Sequence, residues 1–105
     1  MKENHTFFVQ SKTAPTVEID FDSHAAYVRF KSGKVAKTIA KQTAGGMHLA
    51  IDFDSRGEVI GIESIGFNEF NLSKVVAAAK VDAPNVDFSK AKIRSTPHRE
   101  ELCAA

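Results

Sequence analysis

Four residues stand where a calcium loop would place its ligands and its sharpest turn. Asp52, Asp54, Gly57 and Glu63 occupy positions 1, 3, 6 and 12 of an EF-hand loop, where carboxylates supply hard oxygens and glycine permits the bend. Val59 adds the aliphatic residue expected at position 8. The rest of the pattern opposes calcium. Position 5 is Arg56, a cation where a ligand oxygen belongs, position 9 is Ile60, and the flanks alternate as strands. The string IDFDS also occurs twice, at Ile19 to Ser23 and Ile51 to Ser55, and in the first copy Lys31 stands where Glu63 stands in the second. A recurring acidic hairpin turn accounts for both copies without a metal. Asp52, Asp54 and Glu63 remain the candidates for an acidic ligand site. Period two predicts that Glu63, amid Ile62 and Ile65, points outward.

Catalytic patterns are missing elsewhere. His5, His24, His48 and His98 are scattered, and none pairs with another or with Cys103 at zinc-ligand spacing; the nearest approach is a tail set of His98, Glu100 and Cys103. The segment GIESIG around Ser64 lacks the G-x-S-x-G spacing, and SGKVAKT from Ser32 lacks the glycine spacing of a phosphate loop. No catalytic residue, metal or cofactor is assigned, and the chain is read as a non-enzyme.

Charge offers a different chemistry. From Tyr27 to Lys41 the chain carries Arg29, Lys31, Lys34, Lys37 and Lys41 with no acid, and Lys90 to Arg99 adds Lys92, Arg94 and His98. Such a strip suits phosphates or an acidic partner. Lysines along a strand also guard a sheet edge against aggregation. Tyr27, Arg29, Lys31, Lys37 and Lys41 are the candidate interaction residues.

These groups must be held by a scaffold, and the composition limits what it is. The 105 residues are 43% hydrophobic and 26% charged with a net charge of +1, as expected of one globular domain with its own core. No apolar run is long enough to cross a bilayer, and the polar start does not resemble a signal peptide. One cysteine, Cys103, fits a reducing compartment, so a cytoplasmic location is expected.

Alternating apolar residues predict strands through residues 16 to 65. Val17, Ile19 and Phe21 lead into the first acidic turn, and Ala26, Val28 and Phe30 return. Ser32-Gly33 is read as closing the next hairpin, into a strand from Lys34 to Gln42. Met47, Leu49, Ile51 and Phe53 then lead into the second acidic turn, and Glu58 to Ile65 returns. The result is an α+β domain: an antiparallel β-meander of about five strands built from two related hairpins, with Thr6 to Gln10 as a candidate sixth. One helix packs on the sheet, capped by Asn71, with Leu72, Val75, Val76 and Ala79 as its apolar stripe and Phe70 and Val75 as a staple. Residues 17–80 form the expected core and 81–105 an extension that ends in a short helix or frays. One helix leaves one sheet face uncovered, which predicts a homo-oligomer or a protein partner.

The two hairpins, VEIDFDSHAAYVRF and GMHLAIDFDSRGEVIGIESI, resemble the small bacterial YuzE-like proteins, a family of unknown function. The matching positions are Asp22, Tyr27, Asp54, Gly57, Gly61, Ile62 and Glu63. The resemblance implies a compact α+β domain with no established enzymatic activity, and an antitoxin-like role as partner of a small toxin. The alternatives are a nucleic-acid-binding regulator using the basic strand, and a small-ligand-binding domain.

Overall fold

Two stretches of alternating sequence, each broken by an aspartate-rich turn, build the centre of a six-stranded sheet. The computed structural model describes residues 7–9, 13–43, 46–67 and 69–95. Its elements are β1 (Phe7–Phe8), β2 (Thr16–Asp20), β3 (Ala25–Arg29), β4 (Lys37–Gln42), β5 (His48–Phe53), β6 (Val59–Ile65), α1 (Leu72–Ala79), β7 (Val81–Asp82), a 3-10 turn at Phe88–Lys90, and β8 (Lys92–Ser95). The main sheet runs β4-β5-β6-β3-β2-β8, and β1 and β7 form a small parallel pair beside it.

Period two sorts the side chains onto two faces. Val17, Ile19, Ala26, Val28, Leu49, Ile51, Phe53 and Ile62 are buried on one face, together with Val75 and Ala79 of α1. The opposite face carries Glu18, Tyr27, Arg29, Asp52 and Glu63, and among the described residues no helix lies on it. The two hairpins are related by an approximate two-fold axis. Ile19 faces Ala26 as Ile51 faces Ile62, and the central β3–β6 ladder is centred on Tyr27 opposite Glu63.

The repeated string does not play the same part twice. In the first copy β2 ends at Asp20, whose carboxylate accepts from the N–H groups of Asp22 and Ser23 at 3.1 and 3.3 Å, and Phe21 is left exposed. In the second copy the strand runs one residue further, Phe53 is buried, and the capping role passes from the first aspartate of the string to the second, Asp54. Its Oδ1 accepts from the N–H groups of Arg56 and Glu58 at 2.9 and 3.0 Å, and Gly57 adopts φ 83°. The turns therefore sit two residues out of step, which frees Asp52 to lie within a strand.

Three expectations about the sheet are corrected. It is mixed, because β8 pairs parallel with β2 from within the expected extension; Lys92 to Ser95 are all exposed, so no apolar alternation marks them as a strand. It has six strands rather than about five. It is also not a meander, because β3 pairs with β6 and not with β4. The N–H groups of Phe30 and Lys31 both donate to Ile60 O, at 2.8 and 3.4 Å, and that of Ala36 donates to Phe53 O at 2.8 Å. Between those anchors the Ser32-Gly33 segment crosses the end of β6 and joins the far side of β5 instead of turning back on β3. The candidate strand at Thr6 to Gln10 appears as Phe7–Phe8 in the small sheet, and the terminal helix lies outside the described residues.

The helix forms where its signals placed it. Asn71 Oδ1 accepts from Lys74 N–H at 3.0 Å, a cap that contributes about 1 kcal/mol. Lys80 closes the helix in the left-handed region at φ 59°. Val75 and Ala79 are buried, and Leu72, Val76 and Phe70 pack against the core. Among the described residues no helix is long and apolar enough to cross a membrane.

Candidate interaction surface

The uncovered face is organised around Tyr27. On β6 the residue beside it is Gly61, in register with Arg29 of β3 and Asp52 of β5. With no side chain at Gly61, the tyrosine ring lies across β6 and its hydroxyl donates to Asp52 Oδ2 at 2.9 Å. The other carboxylate oxygen accepts from Thr38 Oγ1 on β4 at 2.7 Å. One hydrogen-bonded chain thus links β4, β5 and β3 across the open side, passing over β6. The Arg29 guanidinium sits 5.0 Å from the ring centroid, so the ring has glycine backbone beneath it and a cation against it. Beside the ring, Glu18, Asp20 and Glu63 border a shallow groove of about 190 Å³. Glu63 is exposed, in the outward direction its strand position predicts.

Burial pushes the Tyr27 phenol well above its ordinary value of 10, and the hydrogen bond to Asp52 raises it further. The chain has one tyrosine and no tryptophan, so the tyrosinate absorbance reports this residue alone. In an alkaline titration that absorbance is expected to stay flat through the normal phenol range. Asp52→Asn should bring the transition part of the way down, because burial remains. A normal transition in the wild-type protein would refute this packing.

The second acidic turn is locked from outside. Lys31 Nζ lies 2.7 Å from Asp54 Oδ2 and 2.7 Å from Glu58 Oε1. These bonds raise the Lys31 pKa, Asp54 contributing more than Glu58. The Lys31 ammonium, followed by the turn N–H groups, holds the Asp54 carboxyl down from 3.8 to about 2. A depressed carboxyl stabilises the fold above its unfolded pKa and loses that contribution as pH falls through the folded one. Asp54 therefore supports the protein fully above about pH 4 and loses its share between there and about pH 2. Acid unfolding of Asp54→Asn should lack that part of the pH dependence, which chemical denaturation along a pH series would measure.

The structure divides the residues that the sequence grouped. Tyr27 and Arg29 stand together on the open face, and Lys31 belongs to the turn lock. Lys37 and Lys41 point to the opposite side, in register with Phe53 and Leu49. Lys41 Nζ donates to Ala79 O at the end of the helix at 3.3 Å and lies 5.4 Å from the Phe7 ring centroid. Its pKa is lowered, by burial first and then by Lys80. The basic strip is thus not one surface. The acidic candidates are divided too: Asp52 and Glu63 share the open face, while Asp54 is spent on the turn and Lys31.

Among the described residues no cluster of three histidine, cysteine or acidic side chains could hold a metal. His24 places Nδ1 3.1 Å from Phe67 O, and His48 is exposed on β5; His5, His98 and Cys103 lie outside the described residues. Sequence reasoning missed Thr38 as a partner of Asp52. It also gave Gly61 no physical role, although a glycine inside a strand marks a place where another group approaches closely.

Comparison with known proteins adds one match. The model of a family described as a protein of unknown function (DUF2283) matches residues 11–67, a stretch that contains both hairpins and the whole Tyr27 network. No curated protein and no solved structure matches the chain.

Proposed function

The chain belongs to the DUF2283 family of proteins of unknown function, and from that premise we propose that it is a non-enzymatic interaction domain whose open sheet face docks a basic protein surface. The carrying observation is the Tyr27–Arg29 pair, fixed before any partner arrives by Gly61, Asp52 and Thr38. Tyrosine and arginine dominate the energetics of protein interfaces, and a side chain already held in place loses little entropy on binding. Of the three carboxylates at the groove beside the ring, Glu18 is paired with Arg94 of β8 at 2.9 Å and Asp20 accepts from Asp22 and Ser23 of its own turn, which leaves Glu63 to select lysine or arginine from the partner. In its finer form the reading is antitoxin-like: the partner is a small toxin whose basic working surface this face covers.

The test is affinity capture from the source cell with the wild-type chain, Glu63→Lys on the open face, and Lys74→Glu on the exposed side of α1. A basic partner should be retained by wild type and Lys74→Glu and lost at least tenfold with Glu63→Lys. Equal recovery with Glu63→Lys sinks the proposal, as does the absence of any specific partner. So does self-association through this face, read by sedimentation of wild type against Glu63→Lys.

A further inference from the structure

On the side of the sheet away from Tyr27, the short helix leaves one corner uncovered. α1 is eight residues long and packs against β6 and β7, and among the described residues it is Phe7 that lies beside the β4 and β5 end of that face. The result is a cavity of about 380 Å³, open on one side and lined by Phe7, Ala36, Lys37, Ile39 and Phe53, with Asp54, Ser55 and Gly57 of the second acidic turn at its rim. Its volume falls within the range of small-molecule sites. The floor is apolar: Phe7 and Phe53 meet edge to face with centroids 5.2 Å apart, and Ile39, directly opposite fully buried Ile51, is itself only half-buried.

The polar groups at the rim decide which charge such a ligand carries. Asp54 would attract a cation, but one of its oxygens is taken by Lys31 and the other by two turn N–H groups. Lys37 forms no ion pair or hydrogen bond among the described residues, and neither does the Ser55 hydroxyl. What the rim has to spare is an ammonium and a hydroxyl donor. We propose that this pocket binds a small monocarboxylate with a compact apolar body, the body against Phe7, Ile39 and Phe53 and the carboxylate facing Lys37. The site is independent of the open face and does not rest on the proposed docking function.

The experiment is an amide NMR titration of the full chain with three probes of one shape: phenylpropionate, phenylpropionamide and phenylpropylamine. Saturable shifts are expected at Ile39, Phe53 and Gly57 and not at Glu18 or Tyr27. The carboxylate should bind about fivefold more tightly than the amide, the size of one rim ion pair. Lys37→Met, at an exposed position that should leave the fold intact, is expected to abolish that preference while the amide still binds. Four results would overturn the assignment: no saturable shift at these amides, an amine that binds as well as the acid, a preference that survives Lys37→Met, or the same shifts produced by raising protein concentration alone, which would place a second copy in the pocket.

Discussion

Gly61→Ala is expected to destabilise the domain by about 3 kcal/mol, the upper part of the range for overpacking a well-filled site. A Cβ at Gly61 would come within 2.5 Å of Val28 O and 2.5 Å of the Tyr27 hydroxyl. The tyrosine can swing aside, at the cost of its bond to Asp52. The carbonyl belongs to the neighbouring strand of the central ladder and cannot move without spreading β3 from β6. Two measurements separate these contributions. Urea denaturation should show the loss of stability, and the tyrosinate transition should drop towards the ordinary phenol range as the ring leaves its place. Adding Tyr27→Ala should not restore wild-type stability, because the clash with Val28 O remains. A Gly61→Ala protein as stable as wild type would mean that β6 does not approach β3 as described.

Phe30→Ala should cost more, about 4 kcal/mol, from lost burial and from the cavity left behind. Phe30 is 2% exposed and ends the β3 side of the core, where its ring meets Phe88 edge to face with centroids 6.2 Å apart. Phe88 belongs to the 3-10 turn that leads into β8, so the substitution also removes an anchor of the outer strand. Amide exchange at residues 92–95 should accelerate beyond what the global loss explains, whereas the β5–β6 hairpin should follow global stability alone. Uniform acceleration throughout would show that β8 is held by its ladder with β2 and owes nothing to this contact.

What could be read from the sequence was local. The hairpin turns at Asp22 to His24 and Asp54 to Gly57, the alternation of the central strands and the cap at Asn71 rest on residues a few positions apart, and they appear in the structure, the first turn beginning one residue earlier, at Phe21. Pairings between distant segments were not legible. Nothing in Tyr27 or Glu63 states that they face each other, and Ser32-Gly33 has the composition of a tight hairpin although its chain crosses to another strand. The candidate surface was half legible. Tyr27 and Arg29 stood out in a basic stretch, but their grouping with Lys37 and Lys41 assumed that charges near in sequence share a face. The strand's own alternation and the crossing at residues 31–36 send them to opposite sides.

The sheet order also bears on the speed and sequence of assembly. Each outer hairpin closes a loop of a few residues, a microsecond event, whereas the β3–β6 seam joins segments more than thirty residues apart and must meet a larger closure entropy. The hairpins should therefore form early and the seam late. Substitutions in the two acidic turns would then alter the refolding rate, while those along the seam, Gly61 among them, would mainly hasten unfolding. In that picture the tyrosine platform is the last part of the molecule to set, and the unfinished seam exposes two strand edges while the chain waits to close it.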